Sequence, residues 1–438
     1  MSKARAGWAF LALALALSGD GGLSQPAAPT ASRGPSLSAR IHVQPDDVAV
    51  FAGSALNFHA HVIGAAAAPA AVRWRVFGAG AIDDDGLFRA PATPGGSSSI
   101  VATIGLLAGG ARVAIAAPPP PAAVHAIVAC YGDGALDVRA TGAEPSFGQL
   151  RTGTAAADVA VASTTASAIV AVDDRLVSID LATMTPHLSP PVRGARFSEI
   201  GLLGGGAYAV ATDANADETG PGIDVYRLQQ GEAPSIVSRT QAGETPEGIA
   251  VADDGVTFFV SSVNGNAVRR FVLDSSGIAR KTGSVRTGTR PFGVALDSRR
   301  RLLFVADNDT PTLSGSASRP GLEVFALPSL RRVGAPRATG SANALPLGVA
   351  VDAAAGRLFV TNEGDDDVAV YALPSLRREA TLSVGRTPWL PSVDVRHHVL
   401  YVPDARDDAF DVFDTRTLAH TAARVPTCSY PVAVGVAE

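Results

Sequence analysis

Five prolines recur at near-regular intervals in the second half of the chain, and each precedes a run of small and β-branched residues. They are Pro246, Pro291, Pro346, Pro388 and Pro431, separated by 45, 55, 42 and 43 residues. The runs read TPEGIAV, RPFGVAL, LPLGVAV, TPWLPSV and YPVAVGV. A repeat of this length is too short to bury a core alone, so neighbouring repeats must pack against one another.

Each of the first four repeats contains two further strand-like segments. A second apolar segment such as RLFVTN or LLFVAD follows the first, and a third such as DVAVYALP or GLEVFALP follows a polar turn. The near-identical stretches VFALPSLRR and VYALPSLRR mark the exit from the third segment in adjacent repeats. Several short strands at this period predict an all-β chain built of β-propeller blades.

Three earlier segments complete the predicted ring. Residues 157–184 and 197–229 each have the pattern of a blade, whereas residues 125–142 have second and third strands without a first. The C-terminal segment YPVAVGVAE supplies the missing strand. We therefore predict a seven-bladed propeller over 125–438, closed by the C-terminal strand, because closure removes exposed strand edges.

The blade motifs resemble those of a known family. LFVTN followed by DDVAVYAL is similar to the YVTN repeat of lactonase-like seven-bladed propellers. The motif is strong over residues 245–376, fair over 387–418 and weak in the three earlier blades. The resemblance implies a fold, and it leaves the activity open because one fold hosts many functions.

The N-terminal residues are typical of an export signal. Lys3 and Arg5 precede the apolar stretch GWAFLALALALSG, which predicts a signal peptide over 1–19 and a disordered Pro- and Ala-rich linker over 20–38. In LSGD, Asp20 stands where a bacterial lipoprotein has its lipidated cysteine; the alternative is a chance run of small residues near a cleavage site. The expected location is the periplasm, the cell surface or the medium, with no transmembrane span after signal removal.

Residues 39–117 alternate apolar and polar positions as half-buried strands do. The segments IHVQPDDVAVFAGSALNFHAHVIG, VRWRVFGAG and SIVATIGLLAGGARVAI resemble a bacterial Ig-like β-sandwich, with Trp74 as the expected core aromatic. PPPP then opens a Pro-rich linker at 118–124, because proline fixes φ and cannot donate to a strand ladder.

Charge and cysteine content narrow the choices further. The net charge is −5, so no global basic field attracts nucleic acid. Cys130 and Cys428 are the two cysteines. The predicted blade pairing brings both to one rim of the closing blade, which predicts a disulfide; the alternative is two thiols whose geometry does not meet.

The residues around the repeated prolines are expected at the central mouth of the propeller. We assign ligand binding there to Glu247, Arg290, Phe292, Leu347, Arg386 and Trp389, with Val432 in the same ring. Apolar and aromatic walls with a few charges suit a small molecule, a saccharide or a segment of a protein partner.

Acidic turns are expected on the same face as the mouth. They contain Asp213, Asp217, Glu218, Asp307, Asp309, Asp365, Asp366, Asp367, Asp404, Asp407 and Asp408. Carboxylates are Ca²⁺ ligands, so these turns are candidate calcium sites. The alternative is that each Asp caps the backbone of its own turn, and we predict no cofactor.

The histidines argue against a metal or haem enzyme. His397, His398 and His125 are expected on the rim opposite the mouth, and His59 and His61 form a pair without a third ligand. The sequence contains no G-x-S-x-G motif, no Cys/His catalytic arrangement and no phosphate loop.

Two functions of different classes follow. The favoured one is an exported, non-enzymatic binding or scaffold protein whose propeller recognises a ligand or partner at the mouth. The alternative is a lactonase-type hydrolase acting on a sugar lactone. It is suggested by the family resemblance, with Glu247 as the candidate base and Arg290 or Arg386 holding an anionic substrate. A quinone- or copper-dependent oxidoreductase is disfavoured by the positions of the histidines.

Overall fold

The computed structural model describes residues 39–64, 71–140, 146–309 and 321–437. The predicted signal peptide, the linker over 20–38 and Asp20 lie outside the described residues. Within those residues the chain is all-β, and no helix has the length and apolarity needed to span a bilayer. The helical segments are single 3-10 turns at Pro121–Ala123, Ser163–Thr165, Gly204–Gly206 and Ala405–Asp407.

The described residues of the N-terminal module, 39–64 and 71–117, form nine strands. They are β1 (Arg40–Gln44), β2 (Asp47–Phe51), β3 (Ala55–Asn57), β4 (His59–Ile63), β5 (Arg73–Phe77), β6 (Ala81–Ile82), β7 (Leu87–Arg89), β8 (Ser97–Ile104) and β9 (Leu107–Ala116). Strands β1 and β4 pair, β3, β7 and β6 form a second sheet, and the order β2-β9-β8-β5 belongs to a third.

The core of this module contains two phenylalanines that the sequence analysis did not single out, and Trp74 packs against it. Phe58 and Phe88 are fully buried, and their rings pack edge to face with centroids 6.2 Å apart. Trp74, expected in the core, is only partly buried. The reason is its position on β5, which is an edge strand with a neighbour on one side only.

In the described part of the chain after residue 117, three strands come first and six four-stranded antiparallel sheets follow them. The three are β10 (Ala126–Cys130), β11 (Ala135–Arg139) and β12 (Ser146–Arg151). The first three sheets contain β13 (Ala156–Ala162), β14 (Ser167–Val172), β15 (Arg175–Asp180), β16 (Thr185–Leu188), β17 (Phe197–Leu203), β18 (Tyr208–Asp213), β19 (Ile223–Arg227), β20 (Ser235–Thr240), β21 (Pro246–Val251), β22 (Thr257–Ser262), β23 (Ala267–Leu273) and β24 (Ala279–Arg286).

The other three sheets follow the same up-and-down order. They contain β25 (Pro291–Asp297), β26 (Leu302–Asp307), β27 (Gly321–Ala326), β28 (Arg331–Arg332), β29 (Pro346–Asp352), β30 (Arg357–Asn362), β31 (Asp367–Ala372), β32 (Arg377–Ser383), β33 (Ser392–Asp394), β34 (Val399–Asp404), β35 (Ala409–Asp414) and β36 (His420–Pro426). Successive four-stranded antiparallel sheets of this kind are typical of a β-propeller.

The C-terminal strand β37 (Pro431–Val436) returns to the start of this region. It pairs antiparallel with β10, and Val434 lies opposite Val128. Cys130 and Cys428 form the predicted disulfide at this junction, with Cα atoms 5.8 Å apart and a sequence separation of 298. The bond therefore joins two distant segments of the chain at one sheet.

The N-terminal module shares this sheet. Strand β12 pairs in parallel with β2, where Gln149 lies opposite Val50, so the sheet order is β37-β10-β11-β12-β2-β9-β8-β5. Phe51 is fully buried and packs with Ile127 and Leu136. A Cβ at position 148 would lie 3.0 Å from the Phe51 ring, so the ring packs closely here because residue 148 is glycine. Sequence patterning did not predict this pairing.

Close packing of the first strands of successive sheets depends on small residues. A Cβ added at Gly248 would lie 2.2 Å from the carbonyl oxygen of Phe292, and one at Gly293 would lie 2.3 Å from that of Leu347. Between these strands, the Ser261 hydroxyl donates to the Phe292 carbonyl at 2.7 Å. The glycines at positions 248 and 293 therefore allow these innermost strands to approach one another closely.

Candidate functional site

Seven side chains from equivalent places in successive sheets line one cavity, which we call the mouth. Each lies one residue after the repeated proline or after its structural equivalent at the start of a first strand. They are Ala157, Ser198, Glu247, Phe292, Leu347, Trp389 and Val432. Glu247, Phe292, Leu347 and Trp389 were assigned to this place from the proline repeat. Ala157 and Ser198 come from earlier sheets that lack the proline.

The mouth is narrow because apolar side chains fill most of it. Its volume is about 50 Å³. Phe292 and Trp389 pack edge to face with ring centroids 6.5 Å apart, and Tyr430 contacts Trp389 with centroids 6.3 Å apart. Phe292 and Trp389 come from sheets that are not neighbours, so their contact reaches across the opening.

Glu247 is held on both sides by neighbouring groups. Its Oε1 lies 3.3 Å from Nη2 of Arg196, and the hydroxyl of Ser198 donates to its Oε2. Burial raises the pKa of Glu247, while Arg196, Ser198 and Arg290 oppose that rise. Because its oxygens are occupied, Glu247 serves more readily as an anchor for Arg196 than as a base open to a ligand.

Glu363 is a second carboxyl group in the mouth, and sequence analysis missed it. It follows β30 and is half-buried among the lining residues. Burial raises its pKa to about 7, with Asp366 adding to the rise and Arg406 opposing it. The signal for it in the sequence is that Glu363 directly follows the TN of LFVTN.

Asn308 supplies an amide whose nitrogen lacks a partner. Its side chain lines the mouth, its residue is only 4% exposed, and its Nδ2 makes no hydrogen bond within the part of the chain that the structure describes. A buried donor without a partner is costly, so this group is a point where a bound oxygen atom would gain a hydrogen bond.

The two arginines assigned to the mouth lie in different surroundings. Arg290 is close enough to Glu247 for the two charges to interact. Its φ of 63° is in the left-handed region, and the same holds for four other residues that precede the repeated prolines: Thr245, Leu345, Thr387 and Tyr430. Arg386 is exposed and bonds Asp407, with Nε 2.6 Å from Oδ1. Neither Arg290 nor Arg386, both assigned to the mouth from sequence, belongs to its lining, where Arg196 is the arginine present.

Two of the acidic turns cap the backbone of the segment that follows. Asp366 accepts the N–H of Thr387 at 2.8 Å, and Asp408 accepts that of Tyr430 at 2.9 Å. These bonds connect the turn of one sheet to the segment that enters the next. Among the described residues, the acids of these turns do not converge as a metal cluster, and the one group that does is Cys130, Asp133 and Cys428. The sulfur atoms of Cys130 and Cys428 are bonded to each other in the disulfide.

A second, larger cavity lies behind the mouth along the first strands, and we call it the channel. Its volume is about 670 Å³. Side chains such as Val161, Ile200 and Val251 form aliphatic walls, and residues Thr164, Gly205 and Gly255 lie at the turns of the opposite rim. Leu390 lines both cavities, so the mouth and the channel are adjacent.

Two carboxyl groups, neither predicted from sequence, line the channel. Asp158 Oδ2 accepts the N–H of Ile200 at 2.8 Å, and Glu199 Oε2 accepts the N–H of Ile249 at 3.0 Å. Each therefore bridges one first strand to the next. Burial raises the pKa of Asp158 to about 6 and the pKa of Glu199 well above its usual value.

The histidines lie away from the mouth. His125 and His397 pack edge to face with centroids 5.7 Å apart, and His398 bonds Asp352 at 3.0 Å. His59 and His61 alternate with half-buried residues on β4, as predicted, and are exposed. None of these histidines lines the mouth or the channel.

Comparison with solved structures identifies the fold. The chain is similar to a candidate 6-phosphogluconolactonase from Bacteroides fragilis NCTC 9343, with a TM-score of 0.59 and 12% identity over 72% of this chain and 98% of that one. A candidate 6-phosphogluconolactonase from Bacteroides uniformis ATCC 8492 gives 0.58 and 14% over 72% and 99%. A Lactobacillus plantarum protein gives 0.59 and 12% over 72% and 99%.

These likenesses establish a β-propeller, and at such identities they concern the fold alone. No family model and no curated protein matches the chain. Function must therefore be argued from the residues of the mouth and the channel.

Proposed function

We propose that the chain is an exported β-propeller binding protein that recognises a small polar group of a ligand or partner at the mouth. The observation that carries this proposal is the convergence of seven equivalent side chains on one cavity that also holds the unpartnered Nδ2 of Asn308. Convergent polar groups among apolar walls are the usual composition of a recognition site.

The size of the mouth supports recognition of one group rather than enclosure of a whole molecule. Pockets that enclose small molecules measure about 300–1,000 Å³, whereas the mouth measures about 50 Å³. Asn308 and Arg196 offer donors, and Glu363 offers an acceptor. A hydroxyl or amide group both donates and accepts, so a saccharide hydroxyl or a peptide amide fits this set.

The remaining features support an exported two-module protein. We propose that the six four-stranded sheets and the unit β37-β10-β11-β12 form seven blades of the YVTN type, and that residues 39–117 form an Ig-like spacer or adhesive module. The disulfide supports an oxidising compartment, since such bonds persist outside the reducing cytosol.

The test is thermal unfolding of the full chain in the presence of candidate ligands. The panel comprises Ca²⁺, a chelator, sugar lactones, phosphosugars and cell-wall fragments. A ligand at about 100 times its Kd should add about 2.7 kcal/mol to the free energy of unfolding. Glu363→Gln and Asn308→Ala should remove the shift, while Glu232→Gln, in an exposed loop, should retain it. A shift that survives both mouth variants would contradict the proposal.

A lactonase-type hydrolase is the second candidate, and Glu363 is the observation that favours it. A carboxyl group with a pKa near 7 is suited to act as a general base at neutral pH. The small volume of the mouth would then require Phe292 or Trp389 to move aside for a sugar lactone. If the chain hydrolyses a sugar lactone, Glu363→Gln should reduce the rate by about 10²–10⁴, and Glu247→Gln should act mainly by releasing Arg196.

A further inference from the structure

We propose that the channel is a second binding site, which takes an organic cation with its ammonium group against Asp158 and Glu199 and its apolar body along the aliphatic walls. This site is distinct from the mouth. It extends to the turns that contain Thr164, Gly205 and Gly255, and neither Asp158 nor Glu199 lines the mouth.

The first argument is the unbalanced charge at the inner end of the channel. Asp158, Glu199 and Glu247 lie on three successive first strands, and Glu199 interacts electrostatically with both of the others. Arg196 pairs with Glu247. No cationic side chain contributes to the electrostatics of Asp158 or Glu199 among the described residues. Without a cation, burial and the neighbouring acids raise the pKa of Glu199, and a ligand cation would stabilise its ionised form by supplying the opposite charge.

The second argument is the unused hydrogen-bonding capacity of Glu199. Only 8% of this residue is exposed, and its Oε1 has no hydrogen-bond partner among the described residues, although its Oε2 accepts the N–H of Ile249. An unpaired buried oxygen costs free energy. An ammonium group donates three hydrogen bonds, so it can serve this oxygen and Asp158 together.

Asp158 is open to the channel despite its depth in the protein. The residue keeps an intermediate accessible surface, and it belongs to the channel lining. Its surroundings are otherwise protein, because burial is the largest cause of its raised pKa. The surface that remains accessible therefore faces the channel, where a ligand would approach it.

The geometry favours an organic cation over a metal ion. The ligand atoms of Asp158, Glu199 and Glu247 do not all lie within 4.8 Å of one another, so they do not surround a metal ion as a group. A channel of about 670 Å³ with Val161, Ile200 and Val251 in its walls has room for an apolar body of small-molecule size. An alkylammonium combines both features.

The test is isothermal titration of the full chain with octylammonium, octanol and octanoate at pH 7. We expect octylammonium to bind at least about tenfold more tightly than octanol, and octanoate to bind most weakly, because two acids line the site. Binding of octanol with equal affinity would overturn the proposal, since apolar contact alone would then suffice. Failure of all three probes to bind would overturn it as well.

Matched variants locate the site. Glu199→Gln keeps an oxygen for the Ile249 N–H and removes the carboxylate that would ionise beside the ammonium group, so we expect at least about tenfold weaker octylammonium binding with normal thermal unfolding. Val161→Phe should weaken binding by filling the channel. Glu363→Gln, in the mouth, should leave octylammonium binding unchanged. The experiment therefore tests the channel separately from the function proposed for the mouth. Unchanged binding in both Glu199→Gln and Val161→Phe would refute the assignment.

Discussion

Removing the disulfide should cost a large share of the stability of the propeller. Cys130 and Cys428 are separated by 298 residues and are both buried. The loop-entropy relation, applied to a loop of this length, gives about 5.7 kcal/mol at 25 °C. A domain is typically stable by about 5–15 kcal/mol. The double variant Cys130→Ala/Cys428→Ala should therefore unfold at a much lower urea concentration.

The assay is equilibrium urea unfolding followed by the fluorescence of Trp389. A background of Trp8→Phe and Trp74→Phe leaves Trp389 as the only tryptophan. Wild-type cysteines under reducing conditions are the matched control and should reproduce the double variant. In the oxidised, unfolded chain, a thiol titration should find no reactive thiol. A loss below about 1 kcal/mol would refute the reasoning, because the bond would then not restrict the unfolded chain as the relation assumes.

Three further predictions concern the mouth, the first strands and the contact between modules. The pKa of Glu363 is raised from 4.5 to about 7 in the folded protein. Its contribution to the free energy of unfolding is therefore greatest below pH 4.5 and falls as the pH rises to about 7. In a pH series of urea titrations, Glu363→Gln should remove this decrease. Gly293→Ala should destabilise the chain by about 1–3 kcal/mol, because its Cβ would meet the Leu347 carbonyl. The control is Gly220→Ala, which should change the urea midpoint little because its Cβ would meet nothing closer than 3.5 Å. Phe51→Ala should cost about 3–5 kcal/mol in urea unfolding, and Phe77→Ala, at a residue 60% exposed, should cost far less; equal losses would contradict the packing of Phe51 between modules.

The proline repeat predicted most of the mouth because it reports a backbone position directly. Glu247, Phe292, Leu347 and Trp389 each follow a repeated proline, and each lines the cavity. The disulfide was predictable for the same reason, since aligning the repeats fixed which strands become neighbours.

The residues that sequence reasoning missed depend on contacts between strands. Asp158 and Glu199 occur in sheets whose first strands lack the proline, so no repeat marked their position. Their role comes from backbone N–H groups on the next strand, at Ile200 and Ile249. The burial of Glu363 depends on its neighbours in the mouth. The partial exposure of Trp74 follows from the edge position of β5, which apolar alternation does not encode.

The parallel pairing of β12 with β2 also has a mechanical consequence. A force applied at residue 39 is transmitted to the propeller through the N-terminal module. The pairing of β12 with β2 and the packing of Phe51 beside it are among the contacts that transmit this force. The Cys130–Cys428 bond lies in the same sheet, at the pairing of β10 with β37. Non-covalent contacts join β12 to β2, whereas the disulfide also links the segments of β10 and β37. Under tension, β12 and β2 should therefore separate before β10 and β37 do.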